Sequence, residues 1–312
     1  MRPLRIGTRG SKLALWQANH IRDLLAGFRS TVPEIIVVKT SGDRFPESAI
    51  GQMNVKGVFI KELEDALLDG RIDLAVHSMK DVPTVLPTGL QISALTKRED
   101  VRDCLVSRNG EVLARLRAGA RVGTSSLRRQ SQLRHYRRDL DVRDLRGNVD
   151  TRLRKLDAGD FDAIVLAKAG LDRLGFAERA TQVMNPEVMM PAVGQGALGV
   201  ETQTNDSETI AIVKNLDDAE TRACVNAERA LLAELQGGCQ VPLGAWCRIE
   251  RGQLHLDAAV LSADGVECIR GSSCGAVSDA ESVGRDLGRK LLEGGADKIL
   301  RVVERVARGK FS

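Results

Sequence analysis

Aromatic residues are scarce: Trp16, Trp246, Tyr136 and six Phe make up 3% of 312 residues. That is too few for a stacking platform under single-stranded nucleic acid or for the aromatic belts of a membrane protein. No apolar run approaches the ~18 residues of a membrane span, and none follows the N-terminal charges as a secretory signal would require. The six cysteines (104, 224, 239, 247, 268 and 274) form no CxxC and no Cys/His pair at zinc-ligand spacing, so no metal site is expected. The loops contain neither G-x-x-x-x-G-K-[ST] nor G-x-G-x-x-G, and no helix-turn-helix or RNP-like pattern is present. These absences predict a cytoplasmic protein with reduced thiols, an aliphatic core, no membrane contact and no nucleic-acid partner.

What is present is ordinary in bulk and uneven in detail. Hydrophobic residues at 43% and charged ones at 28% describe a globular chain, long enough for two domains or three small ones. The formal net charge is +4, yet the stretch from Arg115 to Lys155 holds thirteen Lys/Arg against four Asp. That local +9 inside a mildly acidic remainder asks for an anionic partner.

The first two-thirds alternates short β-rich runs with amphipathic helices. Strands are expected at Leu4–Thr8, Ile35–Thr40, Ile72–His77, Arg121–Thr124, Val142–Leu145 and Ala163–Ala167. Helices are expected after Ser11, over Phe59–Leu68, Leu127–Tyr136 and Val149–Asp157. Such alternation argues for α/β layers with largely parallel sheets, whose ligands sit on loops at the carboxyl ends of strands. The last third groups its elements: a helix over Asp218–Glu234, strands at Val241–Ile249, Leu254–Leu261 and Val266–Ser273, then a helix from about Ser278 to Glu293. That grouping indicates a separate α+β domain.

Three features could carry chemistry. Gly123-Thr124-Ser125-Ser126-Leu127-Arg128-Arg129 follows a strand and opens a helix, offering backbone N–H groups, hydroxyls and two guanidinium forks to an anion. The same layout recurs at Leu145-Arg146-Gly147-Asn148, before the helix bearing Arg152, and at Thr8-Arg9-Gly10-Ser11. Each loop alone could be a Ser or Asn cap with solvated arginines; three of them favour a ligand, and guanidinium forks suit carboxylates as well as phosphates. Next, Val76-His77-Ser78-Met79-Lys80-Asp81-Val82-Pro83 sets a carboxylate, anionic at neutral pH, beside an ammonium at a strand's end. Asp81 either stabilises developing positive charge there or caps the turn into Pro83; His77 is read as a hydrogen-bonded buried residue rather than a base. Lastly, Gln236-Gly237-Gly238-Cys239-Gln240 presents a cysteine on a Gly-Gly loop, sterically open. It either tethers a prosthetic group or fills space at the turn.

Taken together, six ordered motifs resemble the porphobilinogen deaminase family. They are Thr8 to Gln17, Val76 to Pro83, Gly123 to Gln130, Leu145 to Asn148, Pro191-Ala192-Val193-Gly194-Gln195-Gly196, and Gly237 to Pro242. The resemblance runs from about Leu4 to about Gly295. It implies two periplasmic-binding-protein-like lobes, residues 1–98 with 195–216 and residues 99–194, plus a smaller C-terminal α+β domain, 217–312. It implies a transferase of tetrapyrrole biosynthesis, monomeric, whose Cys239 holds one dipyrromethane cofactor through a thioether. Four porphobilinogen units are added head to tail with loss of ammonia, and hydrolysis frees 1-hydroxymethylbilane.

The resemblance also implies roles. Asp81, Lys80 and Arg9 would be catalytic, with Asp81 as counter-charge to the azafulvenium cation left when ammonia departs. Ser11, Lys80, Asp81, Thr124, Ser125, Ser126, Arg128, Arg129, Arg146 and Gly147 would hold the cofactor. Arg9, Ser11, Gln17, Lys56, Arg146, Arg152, Arg173 and Gln195 would bind substrate. The stretch Asp43–Val55 departs from the Lys- and Gly-richer loop of bacterial members, and Gly10 stands where Gln is common. A non-catalytic carboxylate-binding module of the periplasmic-binding type is the competing reading.

Overall fold

The computed structural model describes residues 2–28, 31–38, 55–235 and 241–309. The loop at 43–55, apart from Val55, and the Cys239 loop therefore lie outside the described residues. The chain divides into two compact units, Met1–Glu99 with Ala197–Arg222, and Asp100–Gly196 with Ala223–Ser312.

The first unit is a five-stranded sheet covered on both faces. Its strands are β1 (Arg5–Thr8), β2 (Glu34–Val37), β3 (Leu74–Ser78), β4 (Leu90–Leu95) and β10 (Leu198–Gln203), in the order β2-β1-β3-β10-β4. Helix α1 (Lys12–Ala26) starts where Ser11 turns its hydroxyl back to accept from the Ala14 N–H at 3.3 Å, satisfying one orphan donor of the first turn. Its buried Ala18, Ile21 and Leu25 join Leu74, Val76 and Val200 on one face of the sheet. Leu63, Ala66 and Leu67 of α2 (Val55–Leu68) pack with Ala75 and Leu90 on the other. Leu74 and Val76 go one way and Ala75 the other, as the pleat of a doubly covered strand requires.

The second unit repeats this plan with different sequence. Strands β5 (Asp103–Ser107), β6 (Arg121–Gly123), β7 (Asp141–Arg143), β8 (Ala163–Ala167) and β9 (Gln182–Val183) run in the order β7-β6-β8-β5-β9. Helix α3 (Leu127–Tyr136) covers one face through Leu133, against Leu105, Val122 and Val165. Helices α4 (Val149–Asp157) and α5 (Lys168–Arg173) cover the other through Leu153, Leu156 and Leu171, against Cys104, Val106 and Ile164. Both sheets are mixed rather than largely parallel. In each, the first three strands pair in parallel, while β10 in one and β5 in the other lie antiparallel between two neighbours. Strand β10 reaches its sheet only after the chain has built the other one. Helix α6 (Ser207–Val213) follows it, capped by Asp206 on the Thr209 N–H at 3.0 Å.

The second unit also contains an antiparallel sheet of β11 (Leu243–Glu250), β12 (Gln253–Leu261) and β13 (Cys268–Ala276). Arg251 and Gly252 both have positive φ, 53° and 78°, so β11 and β12 join by the two-residue turn whose twist suits a hairpin. Helices α7 (Ala219–Glu234) and α8 (Ala280–Leu291) bury Ala227, Leu231, Val283 and Leu287 against this sheet. The last helix, α9, spans Asp297–Gly309. Gly265 packs against α3 so closely that a Cβ there would lie 2.5 Å from the backbone N of His135. Two polar contacts reinforce that packing, Arg134 to the Ala263 carbonyl and His135 with the Gly265 carbonyl, each at 2.8 Å.

Candidate active site

The predicted residues divide between the two units. In the first, β1 ends at Thr8, fully buried, whose hydroxyl donates to the Ala14 carbonyl at 3.0 Å and so draws the start of α1 against the strand. Arg9 follows, half-buried, with Ser11 engaged as the helix cap. Buried Gln17 donates through Nε2 to the Ser78 hydroxyl at 2.8 Å, linking α1 to the end of β3. Immediately after β3 a single 3-10 turn spans Met79–Asp81. Met79 anchors it: the side chain is 2% exposed, and its N–H donates to the Ala197 carbonyl at 3.1 Å. The turn thus holds Lys80 and Asp81, both half-buried, at the carboxyl end of a central strand. Lys56 falls on α2, in a first turn whose side chains lie outside the described residues.

His77 behaves as the sequence suggested. It is buried on β3, with Nε2 2.8 Å from Oε2 of Glu201 on β10. Glu64 of α2 is buried close by; burial raises its carboxyl pKa above the ordinary value, and the charge of Glu201 raises it further.

In the second unit, Thr124 is fully buried after β6, and its Oγ1 accepts from the Ser126 N–H at 3.3 Å. The Ser125 hydroxyl donates to the Leu145 carbonyl at 2.9 Å, tying the first anion-type loop to the second. Ser126 stands at the start of α3 with no side-chain cap bond. Gly147 has φ of 108°, and its carbonyl accepts from Nε of Arg152 at 2.7 Å. Arg146 is half-buried, and among the described residues its guanidinium makes no hydrogen bond or ion pair. Buried Arg173 donates to the Gly196 carbonyl at 3.1 Å.

Arg128 and Arg129 converge on one residue that the motifs do not contain. Asp103, fully buried at the start of β5, lies 2.7 Å from Nη1 of Arg128 and 2.6 Å from Nη2 of Arg129. Gln195 also points there, donating to Oδ1 at 2.9 Å and to the Val101 carbonyl at 2.7 Å. Burial opposes ionisation of Asp103, but the two guanidinium groups outweigh it and hold its carboxyl well below the usual range. Burial likewise pulls the Arg128 pKa down from its ordinary value. A charged residue opening an otherwise apolar run, Asp103-Cys104-Leu105-Val106, was the available signal: a carboxylate on a buried strand must find a cation.

Much of the basic block is neutralised in the same manner. Arg117 and Arg121 pair with Asp162, Arg137 with Asp139, and Arg143 with Asp141. Among the block's arginines expected to bind ligand, Arg146 has no carboxylate ion-pair partner among the described residues, which suits it to a carboxylated ligand. Buried Nε of Arg129 also lacks a partner. This donor set fits a group bearing several carboxylates.

Cysteines separate by setting. Burial pushes the Cys104 thiol up to about 12, making it a poor nucleophile. Cys224 and Cys247 are buried as well, while Cys239 lies outside the described residues. Among the described residues no cluster of three His, Cys, Asp or Glu is placed to hold a metal ion, and no helix is long and apolar enough to cross a membrane.

Two five-stranded mixed sheets of one topology, each covered by helices, and a smaller antiparallel sheet define an α/β protein. More particularly, the chain belongs to the porphobilinogen deaminase family. Residues 4–211 match the family's "Porphobilinogen deaminase, dipyromethane cofactor binding domain", and residues 222–293 match its C-terminal domain. The chain is 51% identical over 303 residues to the porphobilinogen deaminase of Desulforudis audaxviator, covering 96% of this chain and 97% of that protein. It is 48% identical over 305 residues to that of Syntrophobacter fumaroxidans, covering 97% and 99%. Among solved structures, a putative methionine-binding lipoprotein of Bacillus subtilis aligns at 11% identity and TM-score 0.43, covering 69% of this chain and 89% of that one. The periplasmic aliphatic sulphonate binding protein of Escherichia coli aligns at 16% and TM-score 0.39, covering 76% and 71%.

Proposed function

We propose that the protein is a transferase that joins four porphobilinogen molecules head to tail, with release of ammonia, and frees the linear tetrapyrrole 1-hydroxymethylbilane by hydrolysis. The observation that carries this reading is membership of the porphobilinogen deaminase family along nearly the whole chain. A non-catalytic carboxylate-binding module is not favoured, because the family is one of enzymes. The same reading divides the chain into three domains, 1–98 with 195–216, 99–194 and 217–312, a division supported by its three separate sheets. It also makes the protein a cytoplasmic monomer with no nucleic-acid partner.

In this reading Cys239 holds the dipyrromethane, which when bound supplies the pyrrole carbon that accepts the first substrate unit. The chain's own side chains do the rest. As ammonia leaves the aminomethyl group of porphobilinogen, the bonding electron pair departs with nitrogen and the methylene carbon becomes cationic. The carboxylate of Asp81, held on the short turn after β3, stabilises that charge and accepts hydrogen bonds from pyrrole N–H groups. A guanidinium-rich site by itself would disfavour a cation, so one carboxylate has large leverage there. Each added ring brings an acetate and a propionate. Arg9, Arg146, Arg152 and Arg173, with Lys56 and Lys80, receive those carboxylates; Ser11, Gln17, Thr124, Ser125, Ser126 and the Gly147 backbone complete the polar lining.

Intact-mass measurement tests this. Protein made in a host that synthesises porphobilinogen is expected to be heavier than its sequence by one dipyrromethane, and Cys239→Ser to have the bare mass. An unmodified parent protein overturns the reading.

A further inference from the structure

The carboxylate of Asp103 faces two guanidinium groups, and all three side chains are buried. Its Oδ1 accepts from Nη2 of Arg129 at 2.6 Å and from Nε2 of Gln195 at 2.9 Å, and its Oδ2 lies 2.7 Å from Nη1 of Arg128. Asp103 is 0% exposed and the two arginines 5% and 6%. Arg129 faces inward: Nη1 donates to the Val165 carbonyl at 3.0 Å, and Nε is buried without a partner. Arg128 is held differently. Its contacts run through Nη1, which also donates to the Met190 carbonyl at 2.6 Å, so Nη2 and Nε remain as a fork of parallel donors.

Charge counting makes the cluster incomplete. One carboxylate meets two guanidinium ions in a place where an unpaired ion is costly. A cluster with an excess of one positive charge is completed by one anion, and a planar guanidinium fork matches a carboxylate in two parallel hydrogen bonds. Gln195 adds a neutral donor to the same carboxylate and so holds it in place without changing that balance.

We propose that Asp103 is a positioning residue of the ligand site: it fixes the two guanidinium groups and leaves one positive charge, with the Arg128 fork, for a single carboxylate of the ligand. The proposal rests on the reading of the protein as a carrier of dipyrromethane. Asp103 itself touches no ligand; it acts through Arg128 and Arg129. Removing its charge leaves two adjacent cations that repel one another, so the fork loses its orientation while the ligand loses its receptor.

The test compares Asp103→Asn and Asp103→Glu with the parent protein by intact mass, thermal midpoint, and the separate KM and kcat for porphobilinogen. Asp103→Asn is expected to purify with at most about a tenth of the parent's dipyrromethane content, and its loaded fraction to show a KM raised about tenfold, equivalent to about 1.4 kcal/mol, with kcat changed less than threefold. Asp103→Glu is expected to recover much of the cofactor content. A variant that melts earlier yet carries the parent's cofactor and KM would make Asp103 a structural residue only, and would overturn the proposal. If Asp103→Asn fails to fold, the double variant Asp103→Leu with Arg129→Met decides, because it removes one charge of each sign and apolar replacements of buried pairs are commonly tolerated. Loading of that double variant is read against Arg129→Met alone: a lower cofactor content in the folded double variant supports the proposal, and an equal or higher one overturns it. A parent protein lacking the dipyrromethane mass would instead defeat the underlying functional reading.

Discussion

Nε2 of His77 lies 2.8 Å from Oε2 of Glu201, and both side chains are buried. The contact joins β3, which leads into the Asp81 turn, to β10, the strand that returns from the far end of the chain. It sits under α2 together with Glu64, whose ionisation burial and Glu201 oppose, His77 and Asp65 adding smaller and opposite effects.

Two variants test this polar cluster. His77→Ala strands a buried carboxylate and is expected to cost about 3 kcal/mol in urea unfolding. Glu64→Gln is expected to act oppositely. A group whose folded pKa is raised stabilises below its unfolded value and loses that contribution as pH rises through the folded value. The advantage of Glu64→Gln over the parent should therefore be small near pH 4 and grow towards neutrality; an advantage that shrinks with rising pH would refute the assignment.

Asp73 gives the reverse dependence. Burial raises its carboxyl, but hydrogen bonds from Arg5 and Arg2 prevail and bring it from 3.8 to about 2. The stabilisation is present above pH 3.8 and is lost as pH falls through about 2. Asp73→Asn is expected to cost roughly 2 kcal/mol at pH 7 and almost nothing near pH 2, as read by denaturant titrations at several pH values.

Close helix packing supplies a steric test. A Cβ on Gly284 of α8 would fall 2.1 Å from the Ala227 carbonyl oxygen of α7, whereas one on Gly170 of α5 would meet nothing within 4 Å. Gly284→Ala should cost about 2–3 kcal/mol by forcing the helices apart, while Gly170→Ala should be neutral or gain up to about 1 kcal/mol. Equal thermal midpoints for the two variants would contradict the packing.

The turn that bears Asp81 supplies the chemical test. Asp81→Asn preserves shape and removes charge, so it should fold like the parent and lose about 100-fold or more in kcat for porphobilinogen. Activity within threefold of the parent would remove Asp81 from the role of counter-charge.

Local pattern was a reliable guide where an element is decided by its own residues. Helices Leu127–Tyr136 and Val149–Asp157 and strand Ala163–Ala167 match their expected bounds, because cap residues and apolar spacing are properties of a dozen neighbours. The Ser11 cap and the buried state of His77 were readable for the same reason. Strands β4, β5 and β10 were not singled out, since an apolar run of five or six residues has no period of its own. The sheets were expected to be largely parallel; the inserted strands β5 and β10 make each half antiparallel, a choice set by partners distant in sequence.

The charge block shows where sequence stops. Residues 115–155 by themselves establish an excess of cation, the scarcity of aromatics argues against a stacking platform for nucleic acid, and six motifs point to the family. Which arginines are paired with carboxylates distant in sequence was decided only in three dimensions. Asp162 lies 41 residues from Arg121, and Asp103 lies 26 from Arg129, yet each carboxylate takes its arginine out of the free charge. A salt bridge depends on distance in space and on burial, and neither is written in the order of residues. The sequence determined an excess of cation; the fold determined that Arg121 pairs with Asp162, that Arg146 has no pairing carboxylate among the described residues, and that Asp103 lies against both Arg128 and Arg129.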